Sequence, residues 1–161
     1  MGSTSDLPVV SRAAAFLEQM EIPFEMHALS AHRTPHEVEE FATAARGRGI
    51  KVIIAAAGMA AALPGVIAAL TSVPVIGVPI SSTLEGRDAL LAIVQMPPGI
   101  PVATVGIDGA QNAAILATQI LSLADEGIAS RLEAWRMTLS DKIVKANAEL
   151  AQINTYRFKT N

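Results

Sequence analysis

The sequence predicts an α/β protein, a parallel sheet with helices packed on both of its faces. Short apolar, β-branched runs alternate with runs of 3.6-residue periodicity along the chain, the pattern of strand–helix–strand units. The strand-like runs also lack polar alternation, as strands covered on both faces do. Composition agrees: 51% of residues are hydrophobic and 17% charged, so much apolar surface must lie under helices or between subunits. At 161 residues the expectation is one domain over 1–161, with about 151–161 a polar tail.

Each element follows from its own residues. Gly2–Asp6 is a small polar loop, and Ser5 or Asp6 is positioned to cap the helix after it. Val9, Ala13, Phe16, Leu17 and Met20 give that helix its apolar face. Phe24–Leu29 reads as a short strand. Beyond it, Thr34 is an N-cap, Pro35 suits the first helical position, and Glu37 completes a Thr-x-x-Glu capping box. Val38, Phe41, Ala42 and Ala45 then mark the buried face of a helix that ends near Arg46–Gly49.

Lys51–Ala57 is expected as a buried strand running into Gly58–Gly65, a loop almost without polar side chains. Val73–Val78 is a further strand, ending at the polar loop Pro79–Thr83. Gly86–Val94 is helical, and the prolines of Gln95–Pro101 forbid helix there. Val102–Gly106 is the last strand and Asn112–Leu123 its helix. A long helix over Gly127–Leu150 carries Ile128, Leu132, Trp135, Leu139 and Ile143 on one stripe. That stripe is expected to pack on its own sheet or on a neighbouring subunit.

Right-handed crossovers bring the loops after successive strands to one edge of the sheet. Ser3–Asp6, Ser30–Arg33, Gly58–Ala62 and Ser81–Ser82 all fall there, at the edge where open α/β sheets bind ligands. Ser30, His32 and Arg33 place a hydroxyl, an imidazole and a guanidinium at a helix N-terminus. That set suits an anion with a proton-transfer group beside it. The backbone N–H groups and hydroxyls of Ser3–Asp6 suit a phosphate. His27, in a strand, and His36, in a first helical turn, are expected on the surface or in packing.

The residues also exclude several classes. With no cysteine, disulfides, thiolate metal sites and cysteine nucleophiles are out. A net charge of -3 without any basic run argues against nucleic-acid binding. Met1-Gly2-Ser3 lacks the charged and apolar regions of a secretory signal, and no apolar run is long enough for a membrane span. The expected location is the cytoplasm.

Gly-Ser-x-Ser-Asp at 2–6, Ser-Ala-His-Arg-Thr-Pro at 30–35 and Leu-Pro-Gly at 63–65 occur in this order with further motifs. These are Gly-Val-Pro at 77–79, Val-Gln-Met-Pro at 94–97, Gly-Ile-Pro-Val at 99–102 and Asn-Ala-Ala at 112–114. Together they resemble the PurE family, the N5-carboxyaminoimidazole ribonucleotide mutases of purine biosynthesis, from Met1 to about Leu150. The resemblance implies a three-layer, flavodoxin-like fold with a long C-terminal helix, assembled as a homo-octamer with active sites between subunits. It implies transfer of the carboxylate from the exocyclic nitrogen of an imidazole ribonucleotide to C4 of the ring. CO2 is released, retained and re-added, with no metal, ATP, biotin or other cofactor.

Carried over by motif, His32 is the acid/base, Ser3 and Arg33 hold the 5′-phosphate, and Asp6 holds the ribose hydroxyls. Ser30 adds a phosphate or sugar contact, with Ser5 and Ala31 in the same two binding loops. Ala56, Gly58, Met59 and Leu63 belong to the apolar loop that would fix the imidazole and exclude water from CO2.

The chain also departs from that family. Members normally carry a hydrophobic strand ahead of Gly2, interior to the sheet, and this one begins at the loop. Many have histidine at Ala62 and glycine at Met59. The related carboxylases that use aminoimidazole ribonucleotide and CO2 directly have Lys in place of Arg33 and Ser-Asn in the glycine loop, so the residues here resemble the mutases. An inactive nucleotide-binding homologue is the other reading of the missing strand and Ala62. Two rivals fit less well. A nickel-pincer carboxylase relies on a cysteine that is missing, and a flavin carrier needs stacking aromatics where this chain has only Trp135 and Tyr156, both far from the loops.

Overall fold

The centre of the sheet is made by two runs whose small and β-branched residues tolerate burial on both faces. In the computed structural model, which describes residues 1–161, these are β1 (Ile53–Gly58) and β2 (Val75–Ile80). They pair in parallel from Ile53 opposite Val75 to Gly58 opposite Ile80. A third parallel strand, β3 (Ala103–Thr104), follows β2 and is only two residues long. Both main strands start and end later than the apolar runs suggested, because Ile53 N–H reaches Pro74 O and the ladder begins there.

Strand alternation sends side chains to two separate cores. Ala56, Ile76, Val78 and Ile80 face α1 (Leu7–Gln19) and α5 (Ala110–Ser122), together with Ala13, Phe16 and Ala113. Ile53, Ala55, Ala57 and Val75 face the opposite layer: α2 (Pro35–Ala45), α3 (Leu63–Leu70) and α4 (Arg87–Val94). The three-layer expectation is thereby met. Gly77 is required for the second layer to close, since a Cβ there would lie 2.4 Å from Ile93 Cγ2.

The long helix α6 (Glu126–Ala151) starts on Asp125, whose carboxylate accepts from Ile128 N–H at 2.9 Å. Its expected apolar stripe is buried only near its start. Leu132 is buried, and Trp135 meets Phe16 edge-on at 4.9 Å. Leu139 and Ile143 further along are exposed, Ile143 at 67%. No helix is long and apolar enough to cross a membrane.

One expected strand does not form. Phe24–Leu29 forms no regular element and joins no sheet. Its only backbone links across to the sheet run through Met1, whose amine donates to His27 O and whose carbonyl accepts from Leu29 N–H, both at 2.9 Å. The adjacent Gly2 N–H donates to Ala56 O at 3.0 Å. Met1 and Gly2 are therefore a two-residue stub lying between the Phe24–Leu29 segment and β1. Behind the stub is a slot of about 640 Å³, with Phe24, Met26 and Ile54 among its mainly apolar lining residues. Phe24–Leu29 has no ladder partner and is joined to β1 only through the Met1–Gly2 stub.

Candidate active site

The loop that carries His32 is closed by its own side chains. Ser30 N–H donates to Thr34 Oγ1 at 2.9 Å, Thr34 N–H donates to Ser30 O at 2.8 Å, and Arg33 N–H donates to Ser30 Oγ at 3.2 Å. Pro35 opens α2 as expected, and Thr34 is its N-cap residue. The expected Thr34–Glu37 capping box does not form. The Thr34 hydroxyl turns back to Ser30 and makes no cap bond, a local competition open to Ser and Thr. The loop thus gains rigidity where the helix gives up a cap.

Arg33 connects this loop to the next. Its Nε donates to Ser30 Oγ at 3.3 Å and its Nη2 to Gly2 O at 3.2 Å. A guanidinium has five N–H donors, so most remain available to an anion. The Ser3–Asp6 loop is a 3₁₀ turn over Thr4–Asp6 capped by Ser3, and Asp6 stands at the expected N-cap position of α1 without making a side-chain cap bond there. Ser3 Oγ accepts from Ser5 N–H at 3.3 Å, while Asp6 Oδ2 accepts from Ser3 N–H at 3.1 Å. Asp6 is buried, and its Oδ1 also accepts from Ser5 Oγ at 3.3 Å. Each carboxylate oxygen keeps a further lone pair for a hydroxyl donor.

The remaining two loops complete the edge. Gly2 is tied to Ala56 at the end of β1, and β1 runs directly into Gly58–Ala62. Gly58 faces the exit of β2: a Cβ on it would lie 3.3 Å from Ile80 O and 3.4 Å from Ser82 Cβ. Hydrogen bonds thus join Arg33 to Gly2 and Gly2 to Ala56, and the Ser82 loop lies close beside Gly58, so the four expected loops share one edge. Leu63 is buried at the start of α3, behind Gly58–Ala62.

His32 stands exposed on its loop, as does Arg33, and Ala31 beside them is half-buried. None of Ser3, His32 or Arg33 lines the large slot, which lies in the plane of the sheet. The other two histidines have the surface and packing roles expected of them. His27 pairs with Glu25 at 3.2 Å and leans on Phe41 with ring centroids 5.1 Å apart, and His36 is exposed in the first turn of α2. No three His, Asp or Glu side chains come together as a metal-binding group.

Two loop positions are strained. Met59 (φ 57°) and Ala61 (φ 43°) occupy the left-handed region, which costs an L-residue about 1–2 kcal/mol. Met59 is also 58% exposed, so its side chain recovers little by packing. Met59→Gly is expected to stabilise the chain by about 1 kcal/mol. The check is a higher denaturant midpoint at unchanged m-value.

Sequence reasoning placed Ser81–Ser82 at this edge but missed what holds them. Asp108, in the turn after β3, accepts from Ser81 N–H at 2.9 Å. The Thr83 hydroxyl donates to Asp88, and chiefly this bond holds the Asp88 carboxyl below its usual range. The one available signal was the Asp-Gly pair at 108–109, a turn dipeptide just past a strand.

A parallel sheet with helices on both faces and a polar loop cluster at its carboxyl edge defines an α/β protein of the flavodoxin-like class. Residues 1–142 match the family described as AIR carboxylase, and the chain belongs to that family. It is 62% identical over 137 residues to the N5-carboxyaminoimidazole ribonucleotide mutase of Pyrococcus abyssi, covering 84% of this chain and 79% of that one. The mutase of Pyrococcus horikoshii is 51% identical over 98% of this chain and 90% of its own. The crystal structure of Treponema denticola PurE superposes with a TM-score of 0.83 at 28% identity, covering 93% and 94% of the two chains.

Proposed function

We propose that this chain is an N5-carboxyaminoimidazole ribonucleotide mutase, an isomerase that moves a carboxylate from the exocyclic nitrogen to C4 of the imidazole. The observation that carries the reading is the linked edge: Arg33 bonded to Gly2 beside the capped Ser3–Asp6 turn, with exposed His32 next to it. High identity to mutases over most of the chain supports the same reaction.

Arg33 and Ser3 hold the 5′-phosphate, the guanidinium by paired N–H donors. Asp6, already fixed by two donors of its own turn, accepts from the ribose hydroxyls, with Ser5 and Ser30 in contact alongside. Gly58 and Met59 present an apolar wall to the imidazole, backed by Ala56 and Leu63, which are buried in the two cores behind it, and Ala31 lies beside His32.

The proton bookkeeping closes on one group. A protonated His32 gives its proton to the carbamate nitrogen as the N–C bond to the carboxyl breaks and CO2 leaves. CO2 stays in the apolar pocket, C4 attacks it, and the C4–carboxylate bond forms. Neutral His32 then takes the C4 proton and returns to its starting state. An imidazole suits both steps because it titrates near neutrality. Retaining CO2 against the ring is a positional effect.

No metal, ATP or other cofactor enters this scheme, and the location is the cytoplasm. The assembly is a homo-octamer with sites completed at subunit contacts. The open site and the exposed apolar residues of α6, among them Met137 and Ile143, support that assembly. The test is ultraviolet-monitored conversion of N5-carboxyaminoimidazole ribonucleotide without ATP. Conversion is the expected result. A folded protein that leaves this nucleotide unchanged but carboxylates aminoimidazole ribonucleotide with CO2 would identify the direct carboxylase.

A further inference from the structure

We propose that Asp108 is a positioning residue for the base-binding end of the site, acting through Ser81 and Ser82. The inference rests on the mutase reading for where the imidazole lies, and on geometry for the rest. Asp108 brackets the exit of β2 from both sides of Ile80. Its own N–H donates to Pro79 O at 2.8 Å, and its Oδ1 accepts from Ser81 N–H at 2.9 Å. Making both bonds puts Asp108 in the left-handed region, at φ 56°. Aspartate, asparagine and glycine enter that region most readily.

The turn that carries Asp108 is tight and packed against the same loop. Gly109 N–H donates to Gly106 O at 2.9 Å. A Cβ on Gly86 would lie 2.8 Å from Ile107 Cγ2 and 3.1 Å from Ser81 Cα. The loop between Ser81 and Gly86 is therefore pressed from one side by Ile107 and hung from Asp108. On its other side Ser82 lies beside Gly58, the first residue of the loop that forms the apolar wall, where a Cβ would come 3.4 Å from Ser82 Cβ.

Without the carboxylate, Ser81 N–H loses its acceptor and Ser82 is free to lift from Gly58. That gap would open the imidazole end of the site while leaving Arg33, Ser3 and His32 untouched. A loosened wall weakens the hold on the base and lets CO2 escape, so both substrate affinity and the retained intermediate suffer.

Two variants separate the carboxylate from the backbone conformation. Asp108→Gly keeps the left-handed turn and deletes the acceptor; Asp108→Asn keeps both the turn and an acceptor oxygen. In mutase assays, Asp108→Gly should raise KM about tenfold, the usual scale for losing one charge-assisted hydrogen bond. It should also release CO2 into solution, and its melting temperature should stay near that of the wild type. Asp108→Asn should restore KM to within about twofold of the wild type.

Amide exchange at Ser81–Thr83 reads the bracket without any substrate, and it should rise in Asp108→Gly alone. Wild-type turnover tests the mutase reading separately, so an inactive wild type with the expected exchange pattern overturns that reading and leaves the bracket standing. Wild-type KM and wild-type exchange in a folded Asp108→Gly would overturn the proposal. So would an Asp108→Asn variant as impaired as Asp108→Gly.

Discussion

His32→Gln is expected to lower kcat by about 10²–10⁴-fold, the range over which positioned acid–base groups contribute, while nucleotide binding stays within a few-fold of the wild type. Glutamine keeps the bulk and a hydrogen-bonding end but carries no proton that it can give and retake. The position makes the test clean. His32 is exposed and its loop is held by Ser30, Arg33 and Thr34. A surface substitution of this sort shifts stability by only about 0.5 kcal/mol. The measurement is kcat and KM from ultraviolet-monitored turnover, with calorimetric titration of the nucleotide for binding and circular dichroism for folding. Undiminished kcat in a folded variant would remove His32 from the proton path.

The second large effect is on stability. An apolar, β-branched segment of about five residues, fused directly ahead of Met1, would extend the Met1–Gly2 stub at roughly 3.3 Å per residue along the slot between Phe24–Leu29 and β1. Parallel to both neighbours, it would pair with a backbone edge on each side and bury side chains in both cores. Gross burial of about 1.5–3 kcal/mol per side chain is opposed by ordering costs of about 1–2 kcal/mol per residue for the backbone. The net gain is expected at about 3 kcal/mol, or roughly 10 °C in melting temperature for a chain of this size.

The same fusion should change how stability depends on pH. In the 161-residue chain the Met1 amine is held below its ordinary value of 8.0, because burial in the slot disfavours the charge and Asp6 only partly offsets this. Between the folded value and 8.0 the unfolded chain binds more protons, so stability rises with pH through that window. An amide at the same place does not titrate, and the extended chain should show no such rise. Unfolding free energies from pH 6 to 9 for the two chains decide the point. An extension that leaves both the melting temperature and the pH slope unchanged would mean that the slot takes no strand.

Much of the architecture was legible because burial on two faces leaves a local signature. Lys51–Ala57, apolar at every phase after Lys51, and Val73–Val78 have the pattern of a doubly covered strand, and both became strands within two residues of their expected bounds. Pro35 and the prolines after Gln95 act through their own rings and fell where they were read. Side-chain hydrogen bonds were less legible. Thr34, Ser5 and Asp6 each have the chemistry of a cap, but Thr34 turned to Ser30 and Ser3 took the cap at Thr4–Asp6. Spacing names the competitors and does not choose between acceptors a few ångströms apart.

By itself, then, the sequence determined the layered α/β class, the order of its elements apart from Phe24–Leu29, and the four loops that share one edge. Those depend on periodicity and on the handedness of crossovers, both properties of short stretches of chain. Only the tertiary structure decided that Phe24–Leu29 stays out of the sheet, that Asp108 holds Ser81, and that α6 leaves its own core after Trp135. Each of these outcomes depends on a partner remote in sequence. A strand needs an edge to pair with, a carboxylate needs a donor within reach, and an apolar stripe needs a surface to cover it.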